Sequence, residues 1–290
     1  MSELLWTVSE HTTTLRDAVW LRHIRYNEEH YGFDKTLADI SHEGKKAVVL
    51  GTSPLFKRFG LADLEAVMNS GVVTVACDIA LPLLAELGKP PTYSVSVDSH
   101  PVVANFYRRS QTILPHVTPI LSTTIHRDVV EECRKAGTEV RWLQGYRKEN
   151  SDFHRANVSG VTSGGNVGTT CFIIAAHWFR CTPVGLLGFE FAWSDETPYF
   201  TLKHLKKLLR ASTSRNPDMA IRGRFERFTN QNDGKTYVAD YTYCQYLDWF
   251  REIWRGLPRE VKENTFNLTK EGILSARGLK NLSVNDFLAL

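Results

Sequence analysis

At 290 residues, with 42% hydrophobic and 23% charged side chains, the chain is long enough for one large domain with a sizeable core, and its composition is that of an ordinary globular protein. A net charge of +3 gives no ground for a nucleic-acid partner, no segment approaches a transmembrane length, and the opening MSELLWTVSEHTTT lacks the basic region and apolar run of a signal peptide. The five scattered cysteines, Cys77, Cys133, Cys171, Cys181 and Cys244, form neither a C-x-x-C pair nor a zinc-ligand cluster, and read as reduced thiols of a cytoplasmic protein.

Residues 1–44 read as an N-terminal helical extension, with Leu15, Val19, Arg22, Ile24 and Tyr26 giving only a partial stripe, that packs on the main domain of 45–290. Short β-branched runs predict strands at 47–50, 72–76, 93–97, 119–122, 139–143 and 184–187. Helices fit between them at 61–69, 80–87, 102–109, 127–136 and 167–179. This alternation predicts an α/β fold, a Rossmann-like and mostly parallel sheet with helices on both faces, followed by a C-terminal helical region. Residues 203–227 are rich in Lys and Arg, and read either as a solvated helix face or as part of a mobile basic lid over 203–235. Across 236–257 the spacing of Tyr243, Tyr246, Leu247, Phe250, Ile253, Trp254 and Leu257 predicts an amphipathic helix whose aromatic stripe faces the core.

The segment 162–196, TSGGNVGTTCFIIAAHWFRCTPVGLLGFEFAWSDE, places a glycine-rich turn before an apolar helix, then a buried strand, then a polar loop with Glu190, Asp195 and Glu196. A helix entered through Thr162 and Ser163 offers backbone N–H groups without intrahelical partners, and Gly164, Gly165 and Gly168 would let an oxygen-rich ligand approach them. The same glycines also suit a turn that lets helix and strand pack closely. The predicted strands end in Gly51, Thr52 and Ser53, in Asp78, in Asp98, Ser99 and His100, in Ser122, Thr123 and Thr124, and in Gly188 and Glu190. Ligands of open α/β sheets lie outside these carboxyl ends, so the run of glycine, hydroxyl and acidic residues reads as a crevice. Asp78 reads equally as a ligand or as a cap for the next helix. No G-x-x-x-x-G-K-[ST], H-E-x-x-H, G-x-S-x-G or G-x-G-x-x-G is present, which argues against a phosphate-loop NTPase, a zincin, an α/β-hydrolase and a nicotinamide dehydrogenase.

Five motifs in order, VVLGTSPLF (48–56), VACDIALPLLAELGKPPTYSVSVD (75–98), TSGGNVGTT (162–170), GLLGFEFAW (185–193) and NLTKEGILSARGLKNLSVNDFL (267–288), resemble the DUF115 superfamily. That group includes the motility-associated Maf glycosyltransferases and the archaeal 6-hydroxymethylpterin diphosphokinase MptE. The resemblance spans about 46–290. The diphosphokinase branch carries an acidic D-x-D-G type motif and a histidine-rich motif; here the matching strand end is Val97-Asp98-Ser99-His100, with no histidine-rich motif after it. The 162–193 stretch is closer to the Maf branch and to bacterial sialyltransferases, with Glu190 at the acidic position and Tyr199 near a tyrosine that lies by the sugar phosphate. The catalytic histidine of those sialyltransferases has no counterpart; Asp240 stands about there, and His204 lies too early.

The resemblance implies a nucleotide-sugar-dependent transferase moving a sialic-acid-like sugar from a CMP donor to a hydroxyl acceptor of unknown identity. Gly51, Thr52 and Ser53 would hold the nucleotide or its phosphate, with Ser163, Gly164, Gly165, Asn166, Thr169 and Gly188 completing the donor site. Asp98 would accept from ribose or base hydroxyls, or hold Mg2+ if a metal takes part. Tyr199 would donate to the leaving phosphate, and Glu190 or Asp240 would be the base. The alternatives are ATP-dependent diphosphate transfer to a pterin alcohol, which needs a divalent metal, and nucleotide binding without catalysis.

Overall fold

The computed structural model describes residues 2–52, 60–145, 152–162, 165–194, 225–230, 233–269 and 271–290. Ser53, Ser163, Gly164, Tyr199, His204 and most of the 203–235 basic stretch lie outside them.

Among the described residues nine strands form one sheet in the order β12-β11-β7-β1-β2-β3-β4-β5-β6. They are β1 (Ala47–Leu50), β2 (Val73–Cys77), β3 (Tyr93–Ser96), β4 (Thr118–Ser122), β5 (Arg141–Gly145), β6 (Gly160–Val161), β7 (Val184–Leu187), β11 (Thr265–Asn267) and β12 (Lys280–Asn281). The three intervening numbers belong to a second, antiparallel sheet, β8-β10-β9, of β8 (Trp193–Ser194), β9 (Phe225–Thr229) and β10 (Thr236–Asp240). Every pairing in the large sheet is parallel. β1 sits at its centre, with Ala47 opposite Val73 of β2 on one side and Val184 of β7 on the other. The central strands are buried at every position, as strands covered on both faces must be, which is why they read as unbroken apolar runs.

The helices are α1 (Ser2–Tyr31), α2 (Leu61–Asn69), α3 (Leu81–Glu86), α4 (Ala104–Arg108), α5 (Arg127–Lys135), α6 (Val167–Ile173), α7 (Tyr241–Gly256), α8 (Arg259–Glu263) and α9 (Val284–Ala289). α6 runs on as a π turn, Ile174–Trp178, and lies across β1, β2 and β3. Among the described residues no helix is long and apolar enough to cross a membrane.

One feature departs from the sequence reading. The segment expected to be helical from 236 is strand β10 up to Asp240, where Asp240 caps α7 by accepting from Tyr243 N at 2.9 Å. The Tyr237, Val238 and Ala239 run pairs with a strand close in sequence, β9, and that pairing overrides the helical spacing that follows it. The end of α1 and the loop after it supply Ile24, Phe33 and Leu37 to the same hydrophobic core as β1 and β2. Buried Asn27 ties α1 to the end of β4 by donating to the Thr123 and Ile125 carbonyls, both at 3.0 Å. α1 therefore lies over the carboxyl ends of the strands, where it can wall a crevice.

Candidate functional site at the strand-order reversal

From β1 the chain fills the sheet outward in one direction through β6, and from β7 in the other through β12. The order reverses between β1 and β7, and there the loops leaving the carboxyl ends diverge and open a crevice. Gly51 and Gly188 follow the two strands and touch backbone to backbone. A Cβ on Gly51 would drive into the Gly188 carbonyl oxygen, and Gly188 holds φ +83°. The glycines are thus required by the close approach of the two turns.

A cavity of about 680 Å3 opens over this point. Its floor is made by strand ends: Gly51, Thr52, Cys77, Asp78, Asp98 and Gly188. The start of α6 forms one side through Gly165, Asn166, Val167 and Gly168. Aromatic groups form the rest, with Tyr243, Tyr246 and Trp249 from α7, Phe189 and Phe191 from the β7 turn and Trp20 from α1. Trp249 packs onto Gly165 so tightly that a Cβ there would overlap the indole. Phe191 adopts φ 49°, a left-handed conformation that bulky residues rarely take, and such strain gathers at sites whose surroundings over-determine it.

Of the residues singled out in the sequence, Gly51, Thr52, Asp98, Gly165, Asn166 and Gly188 come together around this cavity. Asn166 caps α6: its amide oxygen accepts from Thr169 N at 2.9 Å and its amide nitrogen donates to Thr169 Oγ1 at 2.9 Å. Thr169 is consequently buried behind Asn166 and does not line the cavity. Glu190, expected on a polar loop, is only 3% exposed and is absent from the lining. The turn after β7 folds inward, and the Glu190 carbonyl accepts from Ile273 N at 2.8 Å. Asp240 stands two residues before the rim residue Thr242 and is engaged as the α7 cap.

Asp78 emerges as the acid of the floor. It is 5% exposed, and its Oδ1 accepts from Ile79 N at 2.7 Å. Burial, with a smaller contribution from the charge of Asp98, pushes its carboxyl up to about 6, against hydrogen bonds from Ser96 and Ile79 that oppose the rise. Cys77 beside it is pushed up to about 12 by burial, so it is an inert thiol and no nucleophile. Asp78 and Asp98 also fit a divalent cation arriving with nucleotide phosphates, because Mg2+ is commonly held by one or two carboxylates plus phosphate oxygens. Among the described residues no group of three or more His, Cys, Asp or Glu side chains is placed to hold a metal.

Trp20, Phe191 and Trp249 went unnoticed in the sequence, and Tyr243 and Tyr246 were assigned to the core. The α7 stripe is in fact divided: Leu247, Phe250 and Trp254 are buried, whereas Tyr243 and Tyr246 are half-buried and face the cavity. Trp249, outside the apolar stripe, was the available signal that α7 carries aromatics on a second face.

Comparison with known proteins agrees with this architecture. The solved structure of a Maf glycosyltransferase from Magnetospirillum magneticum AMB-1 matches with a TM-score of 0.65 at 13% identity, over 93% of this chain and 39% of that one. The chain spans about two fifths of the length of that protein, and the likeness is one of fold. A comparison with curated proteins gives no match. The model of the family described as 6-hydroxymethylpterin diphosphokinase MptE-like matches residues 20–196, more than half of the chain and starting inside α1, which the structure shows to be a wall of the cavity. By that match, the chain belongs to the 6-hydroxymethylpterin diphosphokinase MptE-like family.

Proposed function

We propose that this chain is a nucleotide-sugar-dependent glycosyltransferase, taking a sialic-acid-like sugar from a CMP donor to a hydroxyl acceptor. The observation that carries the reading is the cavity at the β1/β7 reversal, which joins a bare-backbone floor to an aromatic wall. Backbone N–H groups of the Gly165 turn suit phosphate oxygens, whereas Gly51 N already donates to the Leu187 carbonyl at 2.8 Å. Tyr246 and Trp249, with ring centroids 6.3 Å apart, suit a stacked base, and stacking contributes about 1–3 kcal/mol per base. Asp98 accepts from ribose hydroxyls. Asp78, with its carboxyl near 6, has the proton affinity of a base working close to neutral pH and replaces Glu190 and Asp240 in that role.

In the transfer step the acceptor oxygen bonds to the anomeric carbon while the bond from that carbon to the CMP phosphate oxygen breaks. The acceptor proton passes to Asp78, and CMP departs with the bonding pair. Should a divalent ion take part, Asp98 would hold it and the ion would supply charge neutralisation at the leaving group.

A second reading, ATP-dependent diphosphate transfer to a pterin alcohol, is favoured by the family match and by the paired carboxylates. Thermal-shift and calorimetric titrations with CMP, CDP, ATP and AMP, each with and without Mg2+, separate the two, since a ligand bound only by the native state must raise its melting temperature. Stabilisation by CMP that is lost in Tyr246→Ala is expected. Stabilisation by ATP with Mg2+ alone would replace glycosyl by diphosphate transfer, and no response to any of the four would overturn both.

A further inference from the structure

A second cavity, of about 470 Å3, opens beside the first on the same edge of the sheet, and Ser99 lines both. Trp20 Nε1 donates to Ser99 Oγ at 2.9 Å, so this pair forms part of the partition between them. The charged groups of the second cavity are of one sign. α1 contributes Arg22 and His23, and the start of α5 contributes His126 and Arg127. The acid beside them, Asp128, is absent from the lining, 3.6 Å from His126 Nδ1 and 3.7 Å from Arg127 Nε. Arg22 has no ion pair among the described residues, and Arg127 stacks over Tyr26 at 5.5 Å.

The two histidines meet edge to face at 5.2 Å. His23 Nδ1 lies 2.9 Å from the Thr124 carbonyl and must donate to it, while His126 Nδ1 accepts from Asp128 N at 3.3 Å. Among the described residues each ring therefore has its Nδ1 occupied, which leaves His23 Nε2 to accept from another partner and His126 Nε2 to donate to one. Burial, then the charges of His126 and Arg22, lower the proton affinity of His23, although the Thr124 hydrogen bond opposes this. The two guanidinium groups, Arg22 and Arg127, are the cations of this lining and favour an anion that joins them. Asn27 is fully buried in the cavity lining, and its amide group donates to Thr123 and Ile125. Its Oδ1 has no hydrogen-bond partner among the described residues, which leaves an acceptor that a ligand hydroxyl would satisfy.

We infer that this cavity binds a small hydroxylated oxyanion, a sugar phosphate or a sugar acid, through Arg22, Arg127 and the Nε2–H of His126, with His23 Nε2 and Asn27 taking hydroxyls. Given the transferase reading, on which this assignment rests, the ligand is the acceptor, held next to the donor across the Trp20–Ser99 partition.

The test is NMR of histidine-labelled full-length protein titrated with glucose 6-phosphate, glucuronate and neutral glucose. Saturable shifts of the His23 and His126 ring signals with either anion, and none with glucose, are expected. The stronger of the two anions identifies phosphate or carboxylate as the recognised group. Arg22 and Arg127 are both exposed, so Arg22→Gln/Arg127→Gln should fold, as a denaturation curve will check, and should bind at least about tenfold more weakly. Arg22→Lys/Arg127→Lys should retain part of the binding. Equal binding of glucose, no shift at concentrations that would saturate a millimolar site, or unchanged affinity in the Gln variant would overturn the inference. Nucleotide stabilisation that persists alongside such a failure would leave the transferase reading standing, whereas its absence with oxyanion binding intact would remove the donor site alone.

Discussion

The floor and the walls of the large cavity are built in different ways. The floor is backbone and short polar side chains at the ends of β1, β2, β3 and β7, fixed by parallel pairing in which neighbouring strands align residue by residue. The walls are large aromatics delivered by α1 and α7, which lie far apart in sequence. A floor of this kind tolerates almost no added volume, because Gly51 and Gly188 already touch. A wall of this kind can lose a ring with less damage to the fold and more to whatever stacks on it. Floor substitutions should therefore appear in stability, and wall substitutions in binding.

The largest effect belongs to Gly51→Ala. The new methyl meets the Gly188 carbonyl oxygen at the centre of the sheet, and we expect a loss of about 3 kcal/mol or more, read from denaturant unfolding. A change under about 0.5 kcal/mol would show that the two turns separate easily.

Asp78→Asn should move stability in the opposite direction. The folded carboxyl is raised to about 6 from 3.8, so the native state takes up a proton that the unfolded chain releases earlier. Stability from this group is full below pH 4 and is lost as pH rises through about 6. The Asn variant should gain on the wild type across that window and hold a constant advantage above it, at most about 3 kcal/mol and less for hydrogen bonds it remakes poorly. Melting temperatures from pH 4 to 8 would show this, and an advantage confined to acid pH would contradict it. If Asp78 is the base, the same variant should also lose transfer activity.

Tyr246→Ala tests the wall. Removing one stacking ring should weaken nucleotide binding by about 1–3 kcal/mol, roughly ten- to a hundredfold, by calorimetry. The smallest effect is expected from Asn166→Ala. Its side chain is engaged as the α6 cap although the residue lines the cavity, so the loss should be about 1 kcal/mol of stability with little change in nucleotide affinity. A large affinity loss there without a stability change would make Asn166 a ligand contact.

The same contrast explains what the sequence disclosed. The parallel strands from β1 to β5 and β7 were legible to within about two residues, because buried apolar runs of four or five residues carry their own signal. The glycines and acids at their ends were legible because they follow the strands directly. β11 and β12, with three and two residues, are too short to show a period, and β10 was hidden by the helical spacing that begins just after it. Glu190 illustrates the limit: a charged residue two positions after a glycine turn reads as exposed, and only the inward fold of that turn against the 272–273 segment buries it. The face of α7 that meets the cavity, and the use of α1 as a wall, depend on contacts across most of the chain, which no local pattern records.

The central claim, that the reversal between β1 and β7 is a nucleotide site, is tested most directly by hydrogen–deuterium exchange with and without saturating CMP. Slower exchange confined to 51–52, 77–79, 97–99, 165–168, 188–191, 242–249 and the α1 turn at Trp20, the segments that line the cavity, is the expected result. Protection that falls elsewhere while these segments exchange unchanged would contradict it.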